Sequence, residues 1–155
     1  MKTAVEILNE KGADMICVSP DTTIFDTLNK MLESKIGAIL IKDGDKIVGI
    51  WTERDLMQNT VEPGFDPKTA KIGDYMTTDL LAAPYNATVY YLKDQFLGRR
   101  LRHLLIERDG EYIGILSTGD VIRASLYEKD QELRNLNAIV SWDYYEDWRW
   151  GRKKK

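Results

Sequence analysis

Slid against itself by 65 positions, the chain meets a second copy of one unit: residues 23 to 57 align without a gap onto 88 to 122. The identities are Thr23/Thr88, Leu32/Leu97, Leu40/Leu105, Ile41/Ile106, Gly49/Gly114, Ile50/Ile115 and Asp55/Asp120. Conservative matches include Ile24/Val89, Met31/Phe96, Ile39/Leu104, Val48/Ile113, Thr52/Ser117 and Leu56/Val121, and Pro20 answers Pro84 once one residue is inserted in the second copy. The matches cluster on structural punctuation. A duplicated unit of this length is one supersecondary block made twice, and each block needs its neighbour to cover its apolar face.

Each copy predicts strand, helix, strand, turn, strand, helix. In the first, Met15 to Ser19 is a short buried strand and Pro20 with Asp21 turns the chain. Asp21, Thr22 or Thr23 then caps a helix whose Ile24, Leu28, Met31 and Leu32 share a face. Ile36 to Lys42 is a β-branched apolar run, Asp43-Gly44-Asp45 has hairpin chemistry, Lys46 to Thr52 returns antiparallel, and Arg54 to Gln58 opens a helix. The second copy repeats the order with Leu80 to Ala83, Thr88 to Gly98, Arg102 to Glu107, an Asp109-Gly110 turn, Glu111 to Ser117, and a helix from Gly119. Asn59 to Thr69 is a polar connecting loop with Pro63, Gly64 and Pro67.

Composition narrows the class. Of 155 residues, 43% are hydrophobic and 30% charged, an ordinary globular balance with material for a core. A net charge of −3 argues against general affinity for nucleic acid or anionic membrane. No apolar run is long enough to span a bilayer. The opening MKTAVEILNEKGAD reads as a short amphipathic helix and not as a secretion signal. Cys17, the single cysteine, lies in the apolar run Met15 to Val18, so a buried free thiol and a reducing cytoplasm are expected. One cysteine and one histidine supply neither a soft metal site nor a nucleophile–base pair. The expectation is no catalytic residue and no metal centre.

The order Pro-x-x-Thr, helix, apolar strand and Asp-Gly turn leads to Gly49-Ile-Trp-Thr-Glu-Arg-Asp-Leu in copy one and Gly114-Ile-Leu-Ser-Thr-Gly-Asp-Val in copy two. This resembles the CBS (cystathionine-β-synthase-type) motif, and Lys71 to Thr77 resembles the lead-in to such a motif. The resemblance covers roughly residues 3 to 126. It implies an α/β Bateman module with small mixed sheets, flanking helices and a cleft on each side of a pseudo-twofold axis. The chain divides on this reading into 1–66, a first motif with its N-terminal helix; 67–126, the second motif; and 127–155, a helical, aromatic and basic tail. The implied function is regulatory sensing of an adenosine-containing ligand (AMP, ADP, ATP or a related adenosyl compound, with Mg²⁺ left open). Pairing of exposed helices into a homodimer is also implied.

Gly49 to Asp55 and Gly114 to Asp120 share Gly-x-x-[Ser/Thr]-x-x-Asp. An ionised Asp can accept hydrogen bonds from both ribose hydroxyls, and helix-start amides with a hydroxyl suit a phosphate. The same spacing is an ordinary helix cap. The resemblance favours ribose, and it places the Asp of one copy opposite the second strand of the other. Asp55 then faces Arg102 and His103, a guanidinium fork and an imidazole, whereas Asp120 faces Gly37 and Ala38. A phosphorylated adenosine is expected at Thr52, Asp55, Arg102 and His103, with adenine against Ala82 and Ala83. The second cleft, lined by Val18, Gly37, Ala38, Ser117 and Asp120, is expected empty or filled by a less charged ligand. His103 also reads as a structural histidine. Arg99 and Arg100 either widen the positive patch or serve their helix dipole. Trp51 and Tyr112 read as sheet packing.

Beyond the repeat, Asp120 to Ile139 predicts one long helix with Leu126, Leu133, Leu136, Ile139 and Val140 among charges. Residues 141–150, rich in Trp and Tyr, either fold over the module or its mate or dock a protein partner. The rival to the sensor is a ligand-free dimerisation and interaction module in which Asp55 and Asp120 are only caps.

Overall fold

In both copies a threonine starts the first helix and a left-handed residue ends it. Thr23 accepts the Asp26 amide at 3.1 Å and Thr88 accepts the Tyr91 amide at 3.3 Å. The helices close on Lys35 (φ 54°) and Arg100 (φ 53°), conformations that free the chain to reverse into a strand. The computed structural model describes residues 1–12 and 14–140, with side chains through residue 136. The elements run α1 (Ala4–Lys11), β1 (Cys17–Val18), α2 (Ile24–Ser34), β2 (Ala38–Asp43), β3 (Lys46–Thr52), α3 (Glu53–Asn59), α4 (Ile72–Tyr75), β4 (Ala82–Pro84), α5 (Val89–Arg99), β5 (His103–Arg108), β6 (Glu111–Ser117) and α6 (Thr118–Val140). The aromatic and basic segment from Ser141 on, and the side chains of Ile139 and Val140, lie outside the described residues.

Two three-stranded mixed sheets result, ordered β1-β2-β3 and β4-β5-β6. The first pair of each is parallel and the second antiparallel, with Cys17 opposite Leu40 and Ala82 opposite Leu105. That register keeps the 65-residue offset. Each hairpin carries a bulge at the same place, between Ile41 and Lys42 and between Ile106 and Glu107. The second hairpin turns through Asp109 and Gly110, both at positive φ, which a two-residue turn between twisted strands demands.

The predicted elements sit where the pattern put them, with local differences. β1 is two residues long, not the five of Met15 to Ser19, and Cys17 is half-buried and not enclosed. Burial still pushes the Cys17 thiol up from its ordinary value. Leu32 is 74% exposed although it was placed on the apolar face of α2, where Ile24, Thr27 and Met31 are buried instead. It sits at the edge of the stripe, and its counterpart Leu97 is 75% exposed.

The cores do not follow the linear division at residue 66. Ala4 and Ile7 of α1 are buried with Ala83, Val89, Leu92, Phe96, Leu104 and Leu116 of the second copy. Ile72 of α4 is buried with Ile24, Ile39, Ile41 and Trp51 of the first, and Tyr75 and Met76 pack beside it. Matching backbone bonds secure the exchange: Val89 donates to the Lys2 carbonyl, and Ile24 donates to that of Ala70. Each lead-in segment thus completes the core of the other copy. Both repeat glycines make room for it. A Cβ on Gly49 would collide with the Met76 sulfur, and one on Gly114 would meet Leu8 Cδ2 at 2.6 Å.

Candidate functional site

Strand alternation sends Ile39, Ile41, Leu104 and Ile106 into the two cores and turns Leu40 and Leu105 to the opposite faces. Those opposite faces border the clefts. A cavity of about 260 Å³ is lined by Ile50, Thr52, Asp55, Arg102, His103 and Leu105, with Gly37, Thr77, Leu80, Leu81 and Leu101 also on its wall. The structure therefore brings Thr52, Asp55, Arg102 and His103 together from two copies of the repeat.

Asp55 is held as part of a capping box. Its Oδ2 accepts the Thr52 amide at 2.9 Å and the Thr52 hydroxyl at 3.1 Å, while Thr52 Oγ1 accepts the Asp55 amide at 3.3 Å. Among the described residues Oδ1 takes no hydrogen bond. The cap and an open acceptor coexist in one carboxylate. The helix-start amides are less open than expected: Glu53 donates to the Gly37 carbonyl at 3.0 Å and Asp55 to Thr52. Anion binding at this end would fall to side chains.

Arg54, Arg100 and Arg102 line the cavity, and among the described residues none of them pairs with a carboxylate. Glu53 and Asp79 line it too, so the cavity is bipolar and not simply basic. Glu53, Arg54 and Asp55 start α3 in the first copy, whereas Asp79, Arg100, Arg102 and His103 come from the second, so each copy brings both signs of charge. Burial lowers the His103 imidazole below its ordinary value, with Lys11 and Arg102 adding to the effect and Asp120 and Glu53 opposing it. Burial thus favours the neutral imidazole, which offers one N–H, and the guanidiniums are the cavity's permanent positive charges. Such a cavity suits a ligand that carries both hydroxyls and an anionic group.

Ala82 and Ala83 do not border the cavity. Ala83 is buried in the second core, and Ala82 is exposed and lines a separate surface hollow with Pro84 and Tyr85. Leu80 and Leu81, just before β4, form the apolar wall instead. Arg100 lines the cavity and Arg99 does not, because the left-handed turn at Arg100 separates their directions. Ile50 and Leu105 were legible in the sequence, each two strand positions from a named site residue and so on its face. Arg54, Thr77 and Asp79 carried no signal of their own.

The second cleft is arranged differently from its expected lining. At the 65-residue offset, Leu80, Leu81 and Leu105 of the first cavity correspond to Met15, Ile16 and Leu40, which line a space of about 540 Å³ with Leu8, Ile36, Ala38, Ile113 and Ile115. Of the five residues expected there, only Ala38 borders it. Val18 is in the first core, and Gly37 lies under Glu53 in the first cavity. Asp120 opens instead onto a groove with Lys2, Glu10, Arg123 and Tyr127. Its Oδ2 accepts the Ser117 amide at 2.8 Å, the same capping geometry as at Asp55, and an ammonium bond from Lys11 at 2.9 Å. Burial would raise the Asp120 carboxyl, but the Ser117 and Lys11 bonds outweigh it and hold the group below its ordinary value.

No helix among the described residues is long and apolar enough to cross a membrane. The CBS domain family model matches the chain twice, over residues 4–62 and 72–127. A relative, the CBS domain-containing protein CBSX3, mitochondrial, of Arabidopsis thaliana, is 30% identical over 151 residues, 92% of this chain and 73% of that protein. Among solved structures, the CBS-domain containing protein ATU1752 from Agrobacterium tumefaciens superposes with a TM-score of 0.74 at 32% identity, over 80% of this chain and 99% of that one. CBSX2, solved in complex with AMP, superposes with a TM-score of 0.66 at 25% identity, over 83% and 99% of the two chains.

Proposed function

Because the chain belongs to the CBS domain family, as a tandem pair of its motifs, we propose that it is a regulatory sensor binding a phosphorylated adenosine in the cavity of Asp55 and Arg102. The observation that supports this reading most is that one cavity gathers an open carboxylate oxygen and several guanidiniums from the two copies. The open oxygen of Asp55 suits a ribose diol, and Arg54, Arg100 and Arg102, without carboxylate partners among the described residues, suit a phosphate. The AMP complex of CBSX2 supports the same ligand class. Leu80, Leu81, Ile50 and Leu105 supply the apolar wall that a purine needs. AMP at about 100 times its dissociation constant is expected to stabilise ligand-stripped protein by roughly 2.7 kcal/mol, read as a raised midpoint in chemical denaturation. An unchanged midpoint with AMP, ADP and ATP alike would leave the interaction module as the better reading.

The sensor is proposed to act as a homodimer that passes its state to a protein target. Apolar side chains are exposed in repeat-related pairs on several helices: Phe25 and Tyr90, Leu32 and Leu97, Met57 and Ile122. Exposed apolar side chains on α2, α3, α5 and α6 are what helix pairing with a second copy would cover. Light scattering is expected to give twice the chain mass at micromolar concentration. Leu32→Glu combined with Leu97→Glu is expected to halve that mass with helical content retained. A wild-type monomer would count against the dimer.

A further inference from the structure

We propose that Lys11 is a built-in occupant of the second cleft, walling Asp120 off from it and limiting each chain to one nucleotide. The proposal rests on the nucleotide reading of the first cavity. The repeat makes the two clefts counterparts, yet their carboxylates meet different surroundings. Asp55 borders its own cavity directly. Asp120 does not border the 540 Å³ cleft at all, and Lys11 borders both that cleft and the groove onto which Asp120 opens. The Lys11 side chain is therefore the partition between them.

The partition is well anchored. The ammonium donates to Asp120 Oδ2 at 2.9 Å and to the Ile115 carbonyl at 3.2 Å. The Asp120 side chain is only 15% exposed and that of Lys11 31%, so solvent screens the pair less than an open surface pair. Lys11 ends α1, which is held over β6 by Leu8 against Gly114 and closed by Gly12 at φ 62°. A ribose diol seeking Asp120 would have to displace a charge-assisted bond that the chain itself supplies. The lead-in to the second copy brings Thr77 and Asp79 to the first cavity and no lysine. Behind Lys11 the second cleft is mostly apolar: Ala38 stands where the first cavity has His103, and Gly37, the counterpart of Arg102, borders the first cavity instead. A site opened there should not distinguish AMP from adenosine.

The test is calorimetric titration of adenosine and AMP into wild type, Lys11→Ala and Lys11→Met, with thermal denaturation confirming that each variant is folded. Lys11→Met keeps the packing of the aliphatic stem and serves if Lys11→Ala loosens α1. One nucleotide per wild-type chain is expected, and two in either variant, with the added site equal for adenosine and AMP. Adding Asp120→Ala to the variant should return the count to one. Two sites in wild type, or one site in both variants, overturns the proposal. A wild type that binds nothing beside a variant that gains one site overturns the reading of the first cavity and upholds this one. No binding in any of the three overturns both.

Discussion

Asp55→Ala is expected to lower the affinity for AMP about ten- to a hundredfold, because it removes a charged acceptor worth roughly 1.5–3 kcal/mol in a hydrogen bond. The same substitution removes the Thr52 capping box, and a lost cap costs on the order of 1 kcal/mol of stability. The two effects must be separated. Asp55→Asn keeps a side-chain acceptor for the Thr52 amide, so it should retain most of the stability and still lose affinity with the carboxylate charge. Arg102→Ala supplies the other half of the argument. It should weaken AMP strongly and adenosine little, since adenosine has no phosphate to lose. Asp120→Ala should leave this site nearly unchanged, because Asp120 borders a separate groove. Calorimetric titration of both ligands into the four variants decides the matter. A larger loss at Asp120 than at Asp55 would move the charged ligand to the other cleft, and equal losses of AMP and adenosine at Arg102 would remove its phosphate role.

Trp51→Ala is expected to cost about 3–5 kcal/mol, the usual range for deleting an enclosed aromatic. Trp51 is fully buried in the first core, and its indole Nε1 donates to Asn59 Oδ1 at 2.9 Å. Asn59 is itself 7% exposed at the end of α3, so the bond ties the sheet to the helix that begins with Thr52 and Asp55. The second copy has Leu116 at the corresponding position, equally buried, which shows that the sheet face asks for volume and not for an indole. Trp51→Leu should therefore cost less than Trp51→Ala, its main penalty being the stranded Asn59 amide, about 1–3 kcal/mol. Adding Asn59→Leu should recover part of that loss. Urea denaturation of the three variants tests the ordering. A cost for Trp51→Ala below about 1 kcal/mol would mean that the first core is not organised around this ring.

Much of the fold was legible because it is written locally and written twice. Thr23 and Thr88 are caps that any helix start could use, the Asp-Gly turn sets its own hairpin, and period-two burial assigns Ile39 and Ile41 to one face and Leu40 to the other. The pairing of Asp55 with Arg102 and His103 across the two copies was also readable, since the resemblance to a duplicated motif supplied the relation that spacing alone does not. Other features had no local signature. Lys11 and Asp120 are 109 residues apart, and nothing near Lys11 distinguishes it from a solvated helix end. Only the exchange of lead-in segments brings α1 onto the second copy, with Leu8 seated in the room left by Gly114. The adenine wall was misplaced for a related reason: β4 begins at Ala82, so Leu80 and Leu81 precede the sheet and turn into the cavity. Patterning of hydrophobic residues determines which face of an element is buried. Which segment buries it is decided by packing between parts of the chain far apart in sequence, and that decision separates the open cleft from the occupied one.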